Sequence, residues 1–144
     1  MLISTGNIAE GMAIYHTVFP RLKDDVAFLE AYCNELITSG NPYEALRILK
    51  FTLTKRTSNR LYRDLGNLYF QLKQFKEAEK AYLISINMVP NRFVNRLCLM
   101  EFYIKVGDVV KAKQTANFIL NMPVKVPSAL VRKVRGQAFA VSRQ

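Results

Sequence analysis

Between residues 59 and 72, Tyr62, Leu65, Leu68, Tyr69 and Leu72 recur at steps of three and four. That spacing places them on one face of an amphipathic helix. Phe75, Ala78, Ala81, Tyr82, Ile86 and Val89 repeat the pattern over 75–89. Pro90 should end this second helix, because it lacks an N–H and disfavours helix at the residue before it. Asn59 and Asn91 are candidate N-caps of the helices that follow them. The helix pair is one copy of a longer periodicity. GNPYEAL (40–46), KQFKEAE (73–79) and GDVVKAK (107–113) align, and GNIAEGM (6–12) falls in the same register. Their small residues are Gly11, Ala45, Ala78 and Ala112, at intervals of 34, 33 and 34. A fixed period of this length signals a helical array in which each unit buries its apolar face against its neighbours. Gly40 and Gly107 stand where a first helix must end and the chain must reverse, a place that favours the left-handed conformation.

The ends of the array differ from its middle. Only a second helix, roughly Ile8–Phe19, is visible in the first period. The chain is therefore read either as part of a longer protein or as beginning with an incomplete repeat. The face of Ile8, Met12, Tyr15 and Phe19 would lack part of its cover, which suggests homodimerisation through that end. At the other end Pro127-Ser128 opens a last helix, about Ala129–Ser142. Its Leu130, Val131, Val134, Ala138 and Val141 would pack inward, with Arg132, Lys133, Arg135 and Arg143 facing water. The predicted organisation is a half repeat at 6–25, repeats at 26–58, 59–92 and 93–124, and a capping helix at 127–142. The predicted fold is all-α: a right-handed superhelix of antiparallel helix pairs, about three and a half repeats with a C-terminal cap.

These residues resemble the tetratricopeptide repeat, a 34-residue helix–turn–helix. Residues 59–92 carry its pattern as Tyr62, Leu65-Gly66, Tyr69, Ala78, Tyr82, Ser85 and Pro90. Residues 26–58 keep Leu29, Tyr32, Leu36, Gly40, Ala45 and Leu49, and residues 93–124 keep Leu99, Tyr103, Gly107 and Ala112. The resemblance implies a concave groove lined by the first helix of each pair, suited to a peptide or partner helix. On that face it places Glu30 and Asn34, then Arg60, Arg63, Asn67 and Phe70, then Glu101 and Lys105. Arg63 and Asn67 match positions at which some members grip a terminal carboxylate. A guanidinium fork and an amide suit that task. Leu97 and Cys98 depart from such a clamp. A groove for a peptide or helix, a carboxylate clamp and a merely solvated face all remain open.

A narrower resemblance rests on VPNRF (89–93), LCLMEFYIKVGD (97–108), ILNMPVKVPS (119–128) and GMAIYHTVFPRLKDD (11–25). They are similar to the C-terminal repeat region of bacterial O-antigen ligase/polymerase-type membrane proteins. This implies a soluble domain of an inner-membrane protein of surface polysaccharide assembly, on the periplasmic side, with any glycan chemistry elsewhere in the parent. The alternatives are a free-standing cytoplasmic adaptor and, third, a helical-repeat RNA binder.

Composition changes the picture in two ways. The chain has 144 residues and a net charge of +10, which by itself would point to nucleic acid. The charge is a gradient, however: net −4 over 1–46, +7 over 47–108 and +7 over 109–144, where no acidic residue occurs. The basic end, including Arg132, Lys133 and Arg135, suits a solvated cap or contact with an anionic membrane surface or phosphorylated carrier. Nucleic acid is the least favoured of the three. No uncharged stretch approaches the ~20 apolar residues of a membrane span. His16 stands alone, Asp24-Asp25 reads as a helix start, and Cys33 and Cys98 read as small core residues. No catalytic residue, cofactor or metal site is expected.

Overall fold

The computed structural model describes residues 8–144, with side chains from Ala9 onward. Gly6 and Asn7, the expected start of the first period, and the Ile8 side chain lie outside them. The described residues form eight helices and no strand. They fall into two compact units, divided between Thr57 and Ser58.

The first unit contains α1 (Ile8–Leu22), α2 (Val26–Thr38) and α3 (Pro42–Lys55). Asp25 starts α2, its carboxylate accepting from the Phe28 N–H at 3.0 Å. Asp24 instead pairs with Lys55 at 2.6 Å, and this holds its carboxyl below the usual range. The core of α2 and α3 is Leu29, Tyr32, Leu36, Ala45, Ile48 and Leu49. α1 is joined to it by rings. Tyr15 stacks on Tyr32 at 5.0 Å, and Phe19 lies 6.0 Å from both Tyr32 and Phe51. Met12, Tyr15 and Phe19 of the face read as short of cover are thus half-buried within the unit. The exposed apolar residues of α1 are Ile14 and Leu22.

The second unit contains α4 (Asn59–Gln71), α5 (Phe75–Met88), α6 (Phe93–Val106), α7 (Val109–Asn121) and α8 (Ala129–Ser142). α4 packs against α5, α5 against α6, α6 against α7, and α7 against α8. Its core includes Leu61, Leu65, Leu68, Ala81, Ile86, Leu99, Met100, Phe102, Ala116 and Ile119. At Gly66 a Cβ would come within 2.7 Å of the Tyr82 ring, so α4 and α5 approach as closely as only glycine permits. Ser128 caps α8 as expected, accepting from the Val131 N–H at 3.1 Å. Val134, Ala138 and Val141 are buried on the inner face of α8. Leu130, expected among them, is 50% exposed in the first turn. Phe75, expected on the inner face of α5, is 43% exposed at the helix start, where its ring meets only the edge of α4 at Phe70, 5.7 Å away.

Two caps differ from expectation. Ser58, not Asn59, caps α4, accepting from the Leu61 N–H at 3.1 Å. Asn59 is already the first helical residue. Asn91 lies two residues before α6, whose cap position is Arg92.

The three turns inside the helix pairs close alike. Asn41, Gln74 and Asp108 donate their N–H to the carbonyls of Leu36, Tyr69 and Tyr103, at 2.8, 2.8 and 2.9 Å. Each turn needs one left-handed residue. Gly40 (φ 78°) and Gly107 (φ 81°) supply it in two, and Lys73 (φ 60°) in the third.

Candidate functional site

The sequence-predicted groove residues are divided between the two units. Asn34 and Glu30 belong to α2 of the first unit, where Asn34 is exposed and its carbonyl accepts from Thr38 Oγ1 at 3.1 Å. The others lie on α4 and α6. There a cleft of about 390 Å³ is lined by Asn67, Phe70, Tyr82, Cys98, Glu101, Phe102 and Lys105. Four residues of the predicted face (Asn67, Phe70, Glu101 and Lys105) therefore come together.

Packing explains the cleft. Phe70 meets the buried Phe102 edge-on at 6.1 Å, and Tyr82 lies 5.5 Å from Phe102, so three rings form an aromatic floor. Lys105 Nζ sits 5.4 Å from the Phe70 ring, which supports its cation over an apolar wall. Tyr82 donates its hydroxyl to Asn67 Oδ1 at 2.6 Å, leaving the amide nitrogen of Asn67 available. Burial pushes the Tyr82 hydroxyl far above its ordinary pKa, so it stays a neutral donor. The floor is aromatic and neutral, with Asn67, Glu101 and Lys105 at its edge. Those groups can pair with main-chain amides and with side chains of either charge.

Arg60 and Arg63 do not line the cleft. Arg60 pairs with Asp64 one turn on, at 3.8 Å. Arg63 Nη1 donates to Asn95 Oδ1 at 3.1 Å. Asn95 is buried, and its Nδ2 donates to the Ser85 carbonyl at 3.1 Å. Ser85 Oγ in turn donates to the Asn59 carbonyl at 2.8 Å. Arg63 thus belongs to a polar chain that ties α4, α5 and α6 together. Its removal costs stability, since an unpaired buried amide is expensive. Arg63 and Asn67, one helical turn apart, each make one hydrogen bond within the unit, to Asn95 and Tyr82 respectively.

Cys98 differs from the core role expected of it. It is partly exposed at the cleft, and burial raises its thiol pKa, so it is not an activated nucleophile. Cys33 is buried, with its thiol 3.6 Å from the Ala45 carbonyl. His16 faces the Tyr32 hydroxyl at 3.3 Å. No group of three His, Cys, Asp or Glu side chains that could hold a metal occurs among the described residues.

Sequence reasoning missed Tyr82 and Phe102 as cleft residues. Periodicity marks both as packing residues, and it cannot show that a tyrosine buried along its ring presents its hydroxyl to a cleft. On α8, Arg132 and Lys133 are exposed, while Arg135 Nη2 donates to the Leu120 carbonyl at 3.3 Å near the end of α7. No helix among the described residues is long and apolar enough to cross a membrane.

No protein-family model matches the chain. No curated protein matches it either. Solved structures do. MamA superposes with a TM-score of 0.69 at 17% identity, covering 99% of this chain and 93% of MamA. PcrH from Pseudomonas aeruginosa gives 0.68 at 17%, covering 83% and 90%. YrrB, described as a TPR protein with an unusual peptide-binding site, gives 0.63 at 14%, covering 96% and 71%. At these identities the likeness concerns the fold, and with the helix pairs and their shared turn it shows that this chain has the all-α, tetratricopeptide-like helical-repeat fold.

Proposed function

We propose that this chain is a non-enzymatic interaction module that holds a peptide or partner helix in the α4–α6 cleft. The observation that carries this reading is the cleft itself. Phe70, Tyr82 and Phe102 make an aromatic floor, while Asn67, Glu101 and Lys105 offer an amide and both charges at its edge. Aromatic anchors within a polar edge are the usual composition of a peptide site. The peptide-binding site named for YrrB lies on the same kind of fold.

Selection of a displayed peptide library against the chain tests this. Recovered peptides should bind Asn67→Ala and Lys105→Glu about tenfold more weakly than the parent. Peptides that bind both variants unchanged would place the site elsewhere. Arg63→Ala is unsuitable, because it also unties Asn95.

A finer reading makes the module the C-terminal repeat domain of an O-antigen ligase/polymerase-type membrane protein, placed on the periplasmic side. Its support is the similarity of residues 89–93, 97–108 and 119–128. In that setting the exposed Arg132 and Lys133 would face anionic headgroups or a phosphorylated carrier. A free-standing adaptor is the alternative. The reading frame upstream of Met1 separates them: about ten hydrophobic spans there support the membrane parent, and their absence refutes it.

A further inference from the structure

A second concave surface in the α4–α8 unit lies away from the cleft. It combines an arginine without a carboxylate and an apolar recess. Arg96, on α6, lays its guanidinium over the Phe118 ring of α7 at 3.8 Å from the centroid. Its Nε is buried and has no acceptor among the described residues. Burial also lowers its pKa, as expected for a cation partly withdrawn from water. Residues 109–144, which supply α7, α8 and the loop between them, contain no acidic residue. The acid of α6, Glu101, lines the other cleft. Among the described residues no carboxylate pairs with Arg96.

The surroundings limit what could. The pocket at Arg96 has a volume of about 280 Å³ and is walled by Pro90, Phe118, Met122 and Pro123, with Asn91 and Asn121 as its amides. A neighbouring recess of about 230 Å³ shares Asn91 and Pro123 with it and is lined by Phe93, Lys125, Val126 and Val131. Val126 is 74% exposed and Phe118 52% exposed, so both are open to a partner. The surface therefore asks for two things at adjoining points: a planar anion for a guanidinium fork, and an aliphatic group for the recess. A hydrated phosphate meets the first requirement and not the second.

We propose that this surface binds a partner peptide carrying an acidic residue beside an aliphatic one, with the carboxylate on Arg96 and the aliphatic side chain in the Phe93–Val126–Val131 recess. The positive charge of this end of the chain complements such a partner and speeds its capture.

Titrating the full chain with N-acetyl-glutamyl-leucinamide, followed by amide NMR shifts, tests the proposal. The expected result is saturable shifts at Asn91, Arg96, Phe118 and Val126. N-acetyl-glutaminyl-leucinamide, which differs only in lacking the charge, should bind about tenfold more weakly, as should the glutamyl probe to Arg96→Gln. Val126→Asp, at an exposed position that does not challenge folding, should weaken the probe similarly, so the test stands even if Arg96→Gln fails to fold. Equal binding of the two probes, shifts confined to the α4–α6 cleft, or displacement of the probe by an equal concentration of inorganic phosphate would each overturn the proposal.

Discussion

The two units solve one packing problem with different materials. In both, a helix pair closes over a small buried residue of its second helix, Ala45 or Ala78. The first unit packs with stacked rings. Tyr32 is buried and touches the rings of Tyr15, Phe19 and Phe28, and α1 contributes most of this cover. The second unit adds close approach and polar ties. Gly66 lets the Tyr82 ring lie against the α4 backbone, and Asn95 links Arg63 to the Ser85 carbonyl. Rings tolerate small displacements, because stacked and tilted contacts differ little in energy. Hydrogen bonds and a missing Cβ do not. The first unit is therefore held by bulk, and the second adds precise fit to a ring cluster of its own.

Substitutions that remove each device would sharpen this contrast. Tyr32→Ala should have the largest effect, about 3–5 kcal/mol of lost stability, read from denaturant midpoints. A loss below about 1 kcal/mol would mean that α1 does not depend on the ring cluster. Gly66→Ala should cost about 1–3 kcal/mol, because its Cβ meets the Tyr82 ring at 2.7–2.9 Å and the ring is fixed by its bond to Asn67. If Gly66→Ala is neutral, the second unit is as forgiving as the first. The smallest effect is a gain. Lys73→Gly should raise stability by about 0.5–1 kcal/mol, since Lys73 holds the left-handed position that glycine fills in the other two turns. Calorimetric midpoints should move upward, and a decrease would show that the Lys73 side chain contributes more than its backbone strain costs.

The helices were readable because their signals are local. Pro127-Ser128 predicts the start of α8, and Ser128 supplies the cap. Gly40 and Gly107 mark two turns correctly. Lys73 carries the same conformation without the residue type that would reveal it. Asn59 was a plausible cap, but Ser58 precedes it and competes for the same role. At the cleft, the resemblance to the repeat placed Asn67, Phe70, Glu101 and Lys105 on the groove face, and the structure gathers these four. It also put Arg60 and Arg63 there, because position in a motif assigns a face but not a partner. Asp64 and the buried Asn95 claim those two side chains. The Arg96 surface was not legible at all. It depends on Phe118 and the 122–128 loop meeting α6, and nothing in the spacing of those residues relates them.

The shared closure of the three inner turns makes each of them portable. Asn41, Gln74 and Asp108 reach back to equivalent carbonyls, and the geometry is set by main-chain bonds and one left-handed residue. Such a joint carries its angle with it when copied. A chain built on it can gain or lose a whole helix pair without redesigning the corner, and mutation can rewrite the faces between corners independently. One face of α6 can then line an aromatic cleft while another presents Arg96, because neither surface helps to set the corner.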